Sequence, residues 1–196
     1  MDKKEIQRNR MMNYFIEAAK EIIEEEGIQS LSVRKVGDRA GYSYATIYNY
    51  FKDLNTLLYY CLLDYMDNCY NYLKEKINDT KEFTERIEVM AASYVEYFAK
   101  NPYQFQLIFI EDLGEPPIEL LERLYKPSVA VFVYEEIMEH ARKANIRPED
   151  AKILNDLIGS SIHGKLLVHI KGRNKIDVNG LIDSIKAEIE FLIDKL

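Results

Sequence analysis

The residues best suited to chemistry lie between Ser43 and Tyr50, in the run S-Y-A-T-I-Y-N-Y. On a short helix Ile47 and the following Phe51 point inward, which leaves Tyr44, Ala45, Thr46, Tyr48, Asn49 and Tyr50 outward. Hydroxyls, an amide and flat rings on one exposed face are the groups that read base edges in a DNA major groove. Basic residues flank the run, with Arg34 and Lys35 before it and Lys52 after it. No other cluster competes. The chain has no phosphate-cradling glycine loop, no nucleophile beside a base and no paired His–Cys cluster, so enzymatic activity is not expected. His140, His163 and His169 do not form a metal-ligand spacing, together or with the cysteines, so neither metal nor cofactor is expected. Cys61 and Cys69 fall on one helix about 12 Å apart along its axis, too far for a disulfide.

The elements that must position the 43–50 face are legible around it. Ser32 can cap a first short helix by accepting from a free amide of its opening turn. Val33, Val36 and Ala40 then recur at helical spacing and share a buried face. Gly41 follows where the chain turns sharply, because glycine takes positive φ without a steric penalty. Ser43 can cap the second helix, which runs from Tyr44 to about Tyr50. The segment 31–50 therefore reads as a helix-turn-helix whose second helix can enter a major groove.

At these residues the chain resembles the TetR family of one-component transcriptional regulators. Ala19, Ile23 and Gly27 match the first part of the family pattern, and Leu31, Ser32, Val33 and Arg34 the next. Ala40, Gly41, Ser43, Thr46, Ile47, Tyr48, Tyr50, Phe51 and Leu57 continue it, over roughly the first quarter of the chain. Three departures from the pattern matter. Gly37 replaces the usual alanine and should soften the first helix by up to ~1 kcal/mol. Tyr44 and Ala45 occupy positions that vary between members. Leu54 and Asn55 replace the usual Lys-Glu, which removes a common phosphate contact. The resemblance implies a homodimeric regulator, more often a repressor, bound to a palindromic double-stranded DNA operator and released by a small-molecule effector. It makes Ser32, Arg34, Lys35, Ser43, Tyr44, Ala45, Thr46, Tyr48, Asn49, Tyr50 and Lys52 the expected DNA contacts.

Composition agrees with a folded helical chain of one large or two small domains. With 196 residues and 47% of them hydrophobic, a sizeable core can form. The net charge of −7 argues against DNA, but its distribution does not. From Leu31 to Leu54, Arg34, Lys35, Arg39 and Lys52 outnumber Asp38 and Asp53. In the first ten residues Lys3, Lys4, Arg8 and Arg10 outnumber Asp2 and Glu5. No apolar run approaches the roughly 20 residues that span a bilayer, and the charged start is no signal peptide. A soluble cytoplasmic protein is expected.

Only helices are predicted elsewhere, so the fold class is all-α: a three-helix DNA-binding domain over 1–54, then a ligand-binding and dimerisation domain over 55–196. Helices are expected at about Lys4–Glu26, Asn55–Ile77, Glu82–Lys100, Ile118–Leu124 and 127–144, with a break at Asn78-Asp79-Thr80. Pro148 opens the penultimate helix with Glu149 and Asp150 in its first turn. Gly172 and the polar loop to Asn179 precede the last. Ile182, Ile185, Ile189, Leu192 and Leu196 form a stripe there, widened by Leu181 and Ile193, while Ser160 and Gly164 allow close helix crossing on the penultimate helix. A dimer through about 148–171 and 180–196 follows from the resemblance. In the middle of the chain Tyr65, Cys69, Met90, Tyr94, Phe98, Phe105, Phe109, Phe132 and His163 are the candidate ligand contacts, with Tyr97, Tyr103 and Tyr134 nearby in sequence. Tyrosine-rich walls suit a flat or greasy molecule, although aromatics at this spacing also build ordinary cores. The alternative function is a helical protein-interaction module whose helix-turn-helix does not bind DNA.

Overall fold

The computed structural model describes residues 2–77, 80, 82–124 and 128–195, all in helices, turns and loops with no strand among them. The α-helices are α1 (Lys3–Glu26), α2 (Val33–Ala40), α3 (Tyr44–Ile47), α4 (Leu54–Lys76), α5 (Phe83–Lys100), α6 (Pro102–Phe109), α7 (Leu121–Leu124), α8 (Val129–Ala144), α9 (Pro148–Ile170) and α10 (Val178–Ile193). Packing divides the chain into two compact units, Met1–Met66 with Tyr103–Lys126 and Asp67–Pro102 with Pro127–Leu196.

The first unit is built on α1. Its periodic apolar residues Met12, Phe15, Ile16, Ala19, Ile22 and Ile23 are all buried, as the spacing predicts. The helix stops at Gly27, where φ is +83° and a β-carbon would lie 3.1 Å from the Tyr103 ring of α6. Glycine is required there twice over. Against α1 pack Val36, Ile47, Phe51 and the first half of α4, through Leu57, Leu58, Cys61, Leu62 and Tyr65. Asp53 caps α4: its Oδ1 accepts from the Thr56 amide at 2.7 Å and the Thr56 hydroxyl at 2.8 Å. These bonds hold the Asp53 carboxyl below its ordinary pKa. Asn55 donates to the Leu113 carbonyl at 3.1 Å and Tyr59 to that of Gly114 at 2.6 Å, tying the start of α4 to the following loop. The side chain that replaces the family's glutamate is thus used inside the unit.

In the second unit α5 packs most extensively on α10, and α9 lies against α8, α10 and α5. Ile87, Met90, Ala91, Val95 and Phe98 of α5 are buried, with Leu154, Ile158, Ile162 and Leu166 of α9. Arg86 forms a two-point ion pair with Glu136 of α8, at 3.1 and 2.5 Å, and donates to the Thr80 carbonyl at 2.9 Å.

Several sequence expectations change. The stripe Leu181, Ile182, Ile185 and Ile189 is buried within the unit, so it builds the interior and not an outer face. The last helix begins at Val178, which puts Asn179 in its first turn and not in the loop; Asp177 caps it by accepting from Gly180 at 2.8 Å. The helix expected over Ile118–Leu124 is a 3-10 turn, Ile118–Leu120, followed by one α turn. The helix break at Asn78-Asp79, the start of α8 at Pro127 and the place of Leu196 lie outside the described residues. No helix among the described residues is long and apolar enough to cross a membrane.

Candidate nucleic-acid interface

The reading face is assembled from α1 upward. The Ser32 hydroxyl accepts from the Lys35 amide at 3.3 Å and starts α2. Gly41 ends it in the left-handed region, φ +77°, and the Tyr42 amide donates back to the Gly37 carbonyl at 2.9 Å. The turn closes so tightly on α2 that a β-carbon at Gly37 would lie 2.9 Å from the Tyr42 carbonyl oxygen and 3.0 Å from the Tyr44 nitrogen. Gly37 therefore makes room for the turn, and the expected softening of α2 is secondary. The opposing atoms are backbone and cannot swing aside.

Ser43 stands at the N-cap position of α3, but its hydroxyl pairs with that of Thr46 at 3.0 Å and not with a backbone amide, contrary to expectation. Regular α-helix also ends earlier than the expected Tyr50. From Ile47 the chain tightens, with Asn49 donating to Thr46 at 3.1 Å and Tyr50 to Ile47 at 2.9 Å, both bonds of the i to i−3 type. Ile47 and Phe51 are buried as predicted, and Phe15 of α1 lies beneath them. The Phe15 ring centroid is 5.6 Å from that of Tyr42, 5.7 Å from Tyr50 and 6.4 Å from Phe51. Both ends of the reading segment rest on one buried ring.

Tyr44 and Tyr48 are exposed, at 58% and 53%. Ala45 and Asn49 are exposed beside them, whereas Thr46 and Tyr50 are half-buried. Arg8 was placed by sequence only among the positive charges of the first ten residues. Its guanidinium donates to the Asn49 carbonyl at 3.1 Å and the Tyr50 carbonyl at 3.3 Å, and lies 5.3 Å from the Tyr50 ring centroid. No local pattern marks it, because the partners are 41 and 42 residues away.

The cations around the face are not all available to phosphate. Lys35 pairs with Glu26 at 2.6 Å, and Arg39 with Glu25 at 2.8 Å and Glu21 at 3.2 Å. Arg34 and Lys52 are exposed. The expected contacts Ser32, Arg34, Lys35 and 43–52 thus all belong to the first unit, on α2, α3 and the turn after it.

The expected ligand contacts divide. Tyr65 and Phe105 are buried in the first unit and Phe109 is exposed there. Cys69, Met90 and Phe98 are buried in the second unit, where Tyr94, Phe132 and His163 are half-buried. The Tyr94 hydroxyl and His163 Nε2 are 2.7 Å apart, and Phe98 packs edge-on to the Tyr94 ring at 4.8 Å. Burial pushes the Tyr94 phenol up and the His163 imidazole down, so both stay neutral at pH 7. The same desolvation pushes the Cys69 thiol up to about 12. Tyr134 lines a different site, an open groove of about 720 Å³ shared with Met138, Arg142 and Ile146. Among the described residues no cluster could hold a metal ion.

Residues 15–59 match the family described as bacterial regulatory proteins, tetR family. That segment is similar to the DNA-binding part of the TetR family. Solved structures agree in fold over most of the chain's length. A protein of unknown function from Rhodococcus sp. RHA1 superposes with a TM-score of 0.75 at 16% identity, covering 91% of this chain and 92% of its own. The fatty acid degradation regulator FadR of Bacillus halodurans gives 0.69 at 18% identity, covering 91% and 93%. A tetR-family transcriptional regulator of Streptomyces coelicolor gives 0.70 at 14% identity, covering 93% and 82%. At such identities the likeness establishes the fold alone. No curated protein matches the chain significantly.

In the segment that matches this family model, Gly37→Ala is expected to be destabilising. Overpacking typically costs ~1–3 kcal/mol, against ~1 kcal/mol gained from alanine's helix propensity. A denaturant melt should show lower stability, with DNA binding weakened further because α3 is displaced. Higher stability would mean that the turn has slack.

Proposed function

We propose that the chain is a ligand-responsive, DNA-binding transcriptional regulator: a homodimeric repressor released from a palindromic operator by a small molecule. The observation that carries this reading is the exposed face of Tyr44, Ala45, Tyr48 and Asn49, standing on buried Phe15, Ile47 and Phe51. Exposed rings on a rigid apolar footing suit insertion into a groove. In this reading residues 1–54 bind DNA and 55–196 carry the ligand and dimer functions. Arg34, Tyr44, Thr46 and Asn49 face base edges or nearby backbone, and Tyr48, Tyr50 and Lys52 hold phosphates. Tyr50 holds its phosphate from a half-buried position. Ser32, Lys35, Ser43 and Ala45 support or adjoin these contacts.

An electrophoretic shift with the DNA flanking the protein's own gene is the direct test, and absence of any shift would favour the protein-interaction alternative. Within it, Lys52→Ala is expected to weaken binding to all sequences and to lower the salt slope by about one ion. Contacts to phosphate position the protein and contacts to bases discriminate. A change in sequence preference alone would show that Lys52 has been given the wrong role.

Pairing through 148–171 and 180–196 is supported by side chains that the second unit leaves outside. Ile153, Leu157, Leu167 and Val168 of α9 and Phe191 of α10 are exposed, at 36% to 62%. Ile153, Leu157, Ser160, Gly164 and Leu167 follow one another at three- and four-residue steps, hence along one helical face. A palindromic site needs two recognition segments ~34–36 Å apart, which a dimer supplies. Nothing lies within 4 Å of a β-carbon built on Gly164, so Gly164→Leu leaves the subunit interior undisturbed. It is expected to shift sedimentation toward monomer and abolish operator binding while the helical circular dichroism persists. An unchanged dimer would put the interface on another face.

The effector is proposed to be flat or greasy and to lie against Cys69, Met90, Tyr94, Phe98, Phe132 and His163, with Tyr65, Phe105 and Phe109 also in the candidate set. Helix α4 contributes residues to both units, so a ligand against Cys69 can act along it on Asp53–Leu57. Linkage sets the condition: the ligand must bind the DNA-free state more tightly, and DNA must weaken the ligand by the same factor. Hydrophobic and cationic compounds found by thermal shift are expected to bind roughly 5- to 150-fold more weakly with operator present. Equal affinity in both titrations would exclude this mechanism for that compound.

A further inference from the structure

The segment that would enter the groove carries no charge: from Ala40 to Phe51 there is no Lys, Arg, Asp or Glu. This restricts what it can read. Guanine is read in the major groove mainly by the bidentate fork of arginine or by lysine on O6 and N7, and cytosine by a carboxylate accepting from N4. The segment has neither. Nearby cations are occupied or lie outside the segment. Lys35 and Arg39 pair with Glu26, Glu25 and Glu21, and Arg8 donates to the carbonyls of Asn49 and Tyr50. Arg34, on α2, and Lys52, after Phe51, lie outside the segment, so any guanine that Arg34 reads adjoins the positions under the segment and is not one of them. The Ser43 and Thr46 hydroxyls bond to each other. On α3 and the turn after it, Tyr44, Ala45, Tyr48 and Asn49 are exposed, two adjacent pairs one helical turn apart.

That set has a chemical preference. A carboxamide matches adenine, donating to N7 and accepting from the N6 amino group. A methyl group or a ring edge matches the 5-methyl of thymine, the one apolar group that a base presents in the major groove. We propose that this face reads A·T base pairs, with Asn49 on adenine and with Ala45 and the Tyr44 ring on thymine methyl groups. The operator half-sites are then A·T at the positions under the segment, and their recognition depends on the thymine methyl itself. This rests on the DNA-binding reading above.

The test uses the full-length protein and a library of random duplexes, enriched through successive mobility-shift rounds and then sequenced. In the enriched duplex each thymine is next replaced singly by uracil, which removes the 5-methyl and leaves pairing intact. The expected result is A·T at adjacent positions in each half-site, with uracil at one or more of them weakening binding about three- to fivefold, the size expected for one buried methyl group. Asn49→Ala should relax the preference for adenine at one position and leave the uracil effect unchanged. Half-sites built on guanine and cytosine would overturn the inference while leaving DNA binding intact. So would A·T-rich sites in which no uracil has an effect, since preference would then come from groove shape. Enrichment of no duplex would overturn the DNA-binding reading as well. Because uracil alters the DNA and not the protein, no misfolded variant can imitate the result.

Discussion

The reading segment depends on a single buried ring. A helix one turn long has no stability of its own, since nucleation orders several dihedrals for one hydrogen bond. Here α3 is four residues, Tyr44–Ile47. It holds its place because Phe15, wholly buried, contacts Tyr42 before it and Tyr50 and Phe51 after it, with Ile47 buried alongside. Gly37 completes the arrangement from α2, since any side chain there would push the turn outward. The outward direction of Tyr44, Ala45, Tyr48 and Asn49 is therefore a property of α1 and α2 as much as of the segment that carries them.

Charge around this face is arranged with restraint. Glu21, Glu25 and Glu26 on α1 take up Arg39 and Lys35, and Arg8 turns to backbone carbonyls. Exposed pairs of this kind add little stability each, typically ~0–1 kcal/mol. Their larger effect is on the field, because a cation already beside a carboxylate attracts phosphate less. With a net charge of −7 over the chain, such a surface would attract nonspecific DNA weakly, and in the proposed reading contact chemistry supplies the selectivity.

The second unit shows the same economy of polar groups in an apolar setting. Tyr94 and His163 satisfy each other, and both stay neutral because burial disfavours either charge. Helix α9 has two distinct faces. Leu154, Ile158, Ile162 and Leu166 are buried in the unit, while Ile153, Leu157, Leu167 and Val168 remain outside. A helix apolar on both sides satisfies only one within its own subunit.

Local signals in the sequence determined the all-α class, the approximate extent of α1, α4, α5 and α9, the Ser32 cap, the Gly41 turn and the inward direction of Ile47 and Phe51. Each depends on residues within a few positions of one another, where periodicity, capping chemistry and positive φ act. The resemblance to the TetR family, too, was legible, because the pattern that carries it is concentrated between Ala19 and Leu57, within the matched residues 15–59. Other features were decided only by tertiary structure: Arg8 on the carbonyls at the end of the reading segment, Gly37 as a spacer, Asn55 on Leu113, and the split of the aromatic set between two units. The last helix shows the limit most plainly. A stripe such as Leu181, Ile182, Ile185 and Ile189 announces that it will be buried but not against what. Burial is rewarded whatever the apolar partner, and the partner is chosen by long-range packing that no local spacing encodes.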